Sequence, residues 1–172
     1  MEGYGRQDIE SLERLVSSFN GQIGKELGSE LYHLCSALMP SVNVDVVLRS
    51  DDGIYLRWRD DDFYGPGWHV PGGIVRHKEP LLGRVTKVLE HECGVKVAGL
   101  SEREADSVKE LFHSSRCVRG HFISIAYVMR LDDLISGGGV VDELIYGKGK
   151  FFDVMPPDLI IQHQRAYGHY FA

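Results

Sequence analysis

Gly72-Gly73, Glu79, Lys87, Glu92 and Gly94 are the residues of this chain whose types and spacing suit chemistry. Glycine lacks a Cβ, so the backbone at Gly72 and Gly73 can take unusual angles and bring a carbonyl close to a bound metal ion. Standing alone, the pair would read as an ordinary turn. Pro80 suits the first position of a helix, which leaves Glu79 at its mouth. Val88, His91 and Glu92 follow at i, i+3 and i+4, a spacing that places them on one helical face. Glu90 lies about 100° per residue around the helix from its neighbours and does not join that face. Glu92 is therefore the one carboxylate offered there. Mg²⁺ (or Mn²⁺) needs only one or two carboxylates when waters and a ligand's phosphates complete its octahedron. Glu92 and the Gly73 carbonyl thus suit a single ion, and clusters of two or three ions are not expected.

The elements that must hold these residues are read from hydrophobic periodicity. Leu81, Leu82, Val85, Val88 and Leu89 mark the helix that carries Glu92. A short strand at 68–70 delivers the glycine pair. Val42, Val44, Val46 and Leu48 form a strand that turns at Asp51-Asp52-Gly53 into a second strand at 54–58, a β-hairpin. Further strands are expected at 95–100, 108–113, 121–131 and 150–153, and a last helix at 158–171. Ahead of all this, Ile9, Leu12, Leu15, Val16 and Phe19 recur at helical intervals, with Asp8 as a start signal and Gly21 as a stop. A second helical pattern runs from Ile23 to Leu38, weakened at Gly24 and Gly28 and ended by Pro40. Residues 1–40 are read as a helical extension packed on the core or on a partner subunit, which leaves a homodimer open, and residues 41–172 as the core domain. Strands between helices in this order imply an α/β (α+β) protein with a mixed sheet. Ser136-Gly137-Gly138-Gly139 is the most flexible-looking stretch and lies within a connection.

With 172 residues, 43% of them hydrophobic, the chain is sized for one domain with a substantial core. A net charge of −6, with no extended basic run, argues against nucleic-acid binding, while local arginines still permit a small anionic ligand. The first residues lack the pattern of a signal peptide, and no apolar run reaches the ~18 residues of a membrane span, so a cytoplasmic protein without membrane contact is expected. Cys35, Cys93 and Cys117 are odd in number and widely spaced, which supports neither a disulfide framework nor a zinc site.

The stretch G-W-H-V-P-G-G-I-V-R-H-K-E-P-L-L-G-R-V-T-K-V-L-E-H-E-C-G-V resembles the Nudix box, G-x5-E-x7-R-E-U-x-E-E-x-G-U with U apolar, starting at Gly73. The resemblance implies the α/β/α sandwich of the Nudix superfamily for residues 41–172. It also implies that Glu79 pairs with the residue at the later Arg position and braces the loop against the helix. That residue is Lys87, which keeps the charge without the forked geometry, so a looser brace is expected. Val88 and His91 replace two of the family's glutamates. The one missing at position 88 is generally associated with activating the water that attacks phosphorus.

These losses are similar to those of the sugar-transferring Nudix subgroup typified by GDP-mannose mannosyl hydrolase, where water attacks the anomeric carbon and the metal stabilises the departing nucleoside diphosphate. That likeness implies substrate-binding roles for Asp45 on the first core strand and for Arg59. Arg76 stands in for an Arg that follows the double glycine in the subgroup, where this chain has Ile74. His121 and His113 resemble the subgroup's central region, and Arg165-Ala166-Tyr167 resembles a segment of its final helix. The subgroup's Gln-His pair before the last strand is replaced by residues 141–148, which contain no histidine. Glu143 or Asp142 is then the candidate acid or base, with His91, His113 and His121 as alternatives because imidazole titrates near pH ~6.5. His69, His77, His163 and His169 receive no role. The activity implied is a Mg²⁺-dependent hydrolase of a nucleoside-diphosphate-linked substrate such as a nucleotide sugar. The alternatives are pyrophosphate cleavage at phosphorus and a Nudix module that binds a nucleotide or protein without catalysis.

Overall fold

The central strand explains the architecture. β1 (Ser41–Ser50) holds Val44, Val46, Val47 and Leu48 at full burial, the continuous apolar run of a strand covered on both faces. In a computed structural model, which describes residues 5–19, 29–116 and 118–171, β1 runs parallel to β7 (His121–Arg130) along one edge. Its other edge is shared: β4 (Gly72–Ile74) pairs antiparallel with Asn43–Asp45, and β2 (Gly53–Asp61) pairs at Arg49–Ser50 across the Asp51-Asp52 turn. β3 (Gly65–His69) and β9 (Gly149–Phe152) both pair with β2, and β6 (Ser107–Phe112) lies outside β7. The result is a mixed seven-stranded sheet, and β5 (Val95–Lys96) and β8 (Val140–Val141) form a small separate pair.

Side chains alternate across a strand, and the two faces of β1 lead into two cores. Val44, Val46 and Leu48 pack with Val85, Val88 and Leu89 of the box helix and with Tyr127 and Met129 of β7. Val47 packs with Leu56, Val70, Phe122, Ala166 and Tyr167. The first core is covered by α3 (Leu81–Val88) and α4 (Leu131–Ser136), the second by α6 (Ile161–Tyr167). The chain is an α/β protein with helices on both faces of a mixed sheet. Asp45, on the same face of β1 as Val47, is the charged exception in this apolar strand, at 1% exposure.

Several elements differ from the sequence expectation. The strand expected at 95–100 stops at Lys96, because only Val95 and Lys96 find a partner in β8. The last helix begins at Ile161 and not near 158: residues 158–160 run alongside β3, where Trp68 N donates to Asp158 O at 2.9 Å and Ile160 N donates to Trp68 O at 3.0 Å. α4 and α5 (Glu143–Tyr146) are too short for periodicity to reveal. The Ser136–Gly139 stretch closes the end of α4, with Gly137 N and Gly139 N donating to Asp133 O and Leu134 O at 3.0 and 2.8 Å.

In the amino-terminal region, α1 spans Arg6–Phe19 and α2 spans Ser29–Leu38. The expected stop at Gly21 and the start at Ile23, with Gly24 and Gly28, lie outside the described residues. α2 meets the core where the ring of His33 lies 5.4 Å from that of Phe63 and Ser36 Oγ accepts Arg119 N at 3.3 Å. Cys35 is half-buried and Cys93 fully buried, both unpaired, and burial pushes the Cys93 thiol up. Cys117 is outside the described residues. Among the described residues no helix is long and apolar enough to cross a membrane.

Candidate active site

The glycine pair owes its composition to what lies against it. β4 pairs with β1 so that Gly72 faces Asp45. A Cβ at Gly72 would sit 2.0 Å from Asp45 Oδ1 and 3.0 Å from Asn43 Nδ2. The missing side chain thus admits a buried carboxylate. A Cβ at Gly73 would meet Arg84 Cδ and Val88 Cγ2, each at 3.3 Å, so this glycine lets the turn lie on the box helix.

Glu79 locks that turn. Its Oε2 accepts Arg76 N at 2.9 Å and both Arg84 Nε (2.8 Å) and Nη2 (2.6 Å), while Oε1 accepts Lys87 Nζ at 2.8 Å. The expected looser brace is corrected here. Arg84, one turn before Lys87 on the same helical face, supplies the guanidinium that Lys87 lacks. Arg84 is also the better shielded partner, at 12% side-chain exposure against 48% for Lys87. Burial alone would push the Glu79 carboxyl up. Lys87, the Arg76 N–H and Arg84 overcome it and hold the group down at about 2.

The shared face expected for Val88, His91 and Glu92 is also corrected. After Val88 the helix widens into a π-turn, Leu89–Cys93, which closes at Gly94 with φ 69°. Extra residues in that turn break the i, i+3, i+4 geometry of an α-helix. Val88 is buried in the core, His91 is exposed, and Glu92 turns to β2. There Arg57 Nη1 donates to Glu92 Oε2 at 3.0 Å and to the carbonyls of His91 and Glu92 at 2.8 and 3.3 Å. Gly94 must be glycine both for its left-handed backbone and because a Cβ would lie 2.6 Å from Tyr146 N of α5.

Beside these elements is a cavity of about 380 Å³ lined by Glu92, Gly72, Gly73 and Asp45 together with Arg57, Arg59 and Arg119, and also by His69 and His163. Asp45 accepts hydrogen bonds from Ser124 Oγ, Tyr167 OH and Asn43 Nδ2. Burial dominates over these bonds and pushes its carboxyl up to about 6. Burial, followed by the charge of Arg59, pulls His69 down to about 4, and His163 is likewise lowered by burial. Both rings are therefore uncharged at neutral pH. His163 Nδ1 accepts Val70 N at 3.0 Å, whereas His69 Nδ1 is buried without a partner among the described residues. Three guanidiniums reach this cavity on a chain of net charge −6: Arg57 pairs with Glu92, Arg59 with Asp61, and Arg119 with no described carboxylate.

Of the residues singled out by sequence, Asp45, Arg59, Gly72, Gly73 and Glu92 meet at this cavity, with Glu79 and Lys87 bracing it from behind. The others do not line it. Glu143 is exposed at the start of α5, and His91 is exposed on the π-turn. His113 bonds Ser115 Oγ at 3.0 Å and borders a separate cavity, and His121 contacts Glu110 at 2.9 Å. Arg76 contributes its backbone N–H to Glu79. Sequence reading missed Arg57, although it lies two residues from Arg59 on one strand face, a period-2 signal. It also missed Arg84, His69 and Arg119.

No family model matches the chain. The low-salt glycan biosynthesis protein Agl8 of Haloferax volcanii is 33% identical over 101 residues, 56% of this chain, and the match spans 63% of the length of that curated relative. Among solved structures, a MutT Nudix hydrolase from Burkholderia pseudomallei superposes with a TM-score of 0.56 over 74% of this chain and 95% of its own, at 21% identity. The MutT protein from Methanosarcina mazei Go1 gives a TM-score of 0.54 over 76% and 93%, at 13% identity. At these identities the likeness is one of architecture, and it coincides with a box glutamate, glycine turn and box helix arranged around one cavity: the chain has the Nudix hydrolase fold.

Proposed function

We propose that this protein is a Mg²⁺-dependent hydrolase of a nucleoside-diphosphate-linked substrate, and that the substrate is a nucleotide sugar such as GDP-mannose. The observation that carries the reading is Glu92, the remaining box carboxylate, facing the same cavity as Gly73, Arg57 and Arg59 while an apolar Val88 occupies the family's water-activating position. That pattern is similar to the subgroup whose water attacks carbon. The glycan-biosynthesis name of the Haloferax relative supports a sugar-bearing substrate.

The donor set fits an ion that arrives with its substrate. Glu92 and Gly73 border one cavity, but the described residues contain no grouping of three or more His, Cys, Asp or Glu side chains. Glu92 and Gly73 would hold the ion, with phosphates and waters completing its shell. When bound, it supplies positive charge to the departing diphosphate. Arg57 and Arg59 add fixed cationic donors where negative charge develops, in a site partly withdrawn from water. Glu143, His113 and His91 stand outside the cavity, whereas Asp45 lines it with a carboxyl tuned close to neutrality. Asp45 takes the proton of the attacking water as its oxygen bonds to the anomeric carbon. The carbon–oxygen bond to the diphosphate breaks, and its electron pair leaves on the diphosphate oxygen.

A binding module is the second reading, and the Arg57–Glu92 pair favours it because a cation already faces the box carboxylate. Hydrolysis of GDP-mannose in heavy-oxygen water decides among the readings. Label in mannose supports attack at carbon, label in phosphate supports attack at phosphorus, and no release of product supports binding alone.

A further inference from the structure

Arg119 is held at the cavity in a way that internal structure leaves incomplete. It sits in the β6–β7 loop, which closes through His113 N donating to Gly120 O at 2.7 Å. Its backbone takes φ 53°, a left-handed conformation that costs a residue with a Cβ and persists where surrounding structure enforces it. The enforcing contact comes partly from α2, whose Ser36 Oγ accepts Arg119 N at 3.3 Å. The guanidinium lies over Phe63, with its central carbon 4.6 Å from the ring centroid, and 6.0 Å from that of Tyr64.

Among the described residues the side chain has no counter-charge. Arg57 pairs with Glu92, Arg59 with Asp61, and Arg84 with Glu79. No described carboxylate pairs with Arg119, and its buried Nε has no hydrogen-bond partner among the described residues. A buried guanidinium donor without an acceptor is costly, and an anion that supplies one recovers that cost. The aromatic faces of Phe63 and Tyr64 offset part of the charge but accept no N–H in the guanidinium plane. Arg59, which also lies against Tyr64 at 4.5 Å from its ring centroid, borders the same cavity. Arg116 also lies on that ring, at 4.7 Å, and Arg59 already turns its Nε and Nη2 to Asp61, so it is the gathered positive charge and the unpartnered Nε of Arg119 that suit a ligand with several phosphoryl oxygens.

We propose that Arg119 is a substrate-binding residue which, with Arg59, grips the diphosphate, and that α2 positions it. This deepens the hydrolase reading and rests on its diphosphate ligand. It brings to the site a loop and an amino-terminal helix that the box does not contain.

The test is calorimetric titration of the full chain with inorganic pyrophosphate and with GDP, each with Mg²⁺ and with chelator. Arg119→Gln is expected to weaken both ligands about tenfold or more, with an unchanged thermal midpoint. The surface variant Arg130→Gln serves as the control and binds as wild type does. Arg119→Lys keeps the charge and the aromatic contact but loses the fork, and reports on the site should the glutamine variant fold poorly; several-fold weaker binding is expected. Wild-type affinity in both Arg119 variants overturns the inference, as does a wild type that binds neither ligand. If the wild type turns over substrate while Arg119→Gln binds normally, this inference falls and the hydrolase reading stands. Diphosphate binding lost in Arg119→Gln, in a chain that hydrolyses nothing, supports the inference and removes the hydrolase reading.

Discussion

Arg57 and Glu92 meet at 3.0 Å, so the carboxylate that ends the box is already paired with a guanidinium from the neighbouring strand. With side chains 18% and 34% exposed, the pair is partly screened, and its net worth is on the order of 1 kcal/mol. A divalent ion at the same carboxylate must compete with that charge. Free protein is therefore expected to bind Mn²⁺ weakly and to bind it more tightly once nucleoside diphosphate is added. Arg57→Gln should strengthen binding of the ion alone by about tenfold while weakening nucleotide binding. Electron paramagnetic resonance of free Mn²⁺ measures both, and unchanged ion affinity in Arg57→Gln would contradict the competition.

The brace at Glu79 carries an acid-dependent part of the stability. Its carboxyl titrates at about 2 in the fold against 4.5 ordinarily, so between those values the unfolded chain binds the extra proton. Stability from this group is fully present above pH 4.5 and is lost as pH falls toward 2, amounting to at most about 3 kcal/mol. Glu79→Gln should remove that acid limb in urea unfolding. Arg84→Gln should cost more than Lys87→Gln, and the reverse order would show that Lys87 is the principal partner after all.

Asp45 runs the other way. Its folded value of about 6 lies above the ordinary 3.8, so the folded chain holds the proton more tightly and stability falls as pH rises between the two. Asp45→Asn should flatten stability over that range. If Asp45 accepts the proton of water, kcat/KM climbs through pH 6 in the wild type, and the asparagine variant loses about a hundredfold or more. Full activity in Asp45→Asn would remove it from the reaction.

Gly72→Ala tests the contact between turn and carboxylate. The new Cβ would fall 2.0 Å from Asp45 Oδ1, so strand β4 or the carboxylate must move. An expected loss of about 1–3 kcal/mol in stability, with a loss of activity out of proportion to it, distinguishes this site from an ordinary turn. A stable, active alanine variant would show that the close approach is unimportant.

The parts of this site legible in sequence were those fixed by local spacing. Gly72, Gly73, Glu79 and Glu92 follow one another through a turn and a helix, so their order along the chain already describes their order in space. Arg84 was legible in principle, since it lies one turn from Lys87, but the comparison of a single box position hid it. The π-turn at Leu89–Cys93 was not legible, because its apolar residues still fit a 3.6-residue period and an inserted residue leaves little compositional trace. Arg57, His69 and Arg119 reach the cavity from β2, β3 and the β6–β7 loop, and only strand order and register bring them together. The last helix starts later than expected because Leu159 and Ile160, apolar in a helical pattern, instead run extended alongside β3 and bond to Trp68.

The role proposed for Glu92 is metal-assisted hydrolysis of a diphosphate-linked substrate. Its most direct test is turnover of a panel of nucleotide sugars and dinucleotides with Mg²⁺ by the wild type and by Glu92→Gln, with folding checked by circular dichroism. Turnover of at least one nucleotide sugar by the wild type and a fall of about a hundredfold or more in a folded Glu92→Gln are expected. Equal rates in the two proteins, or no turnover by the wild type across the panel, would contradict it.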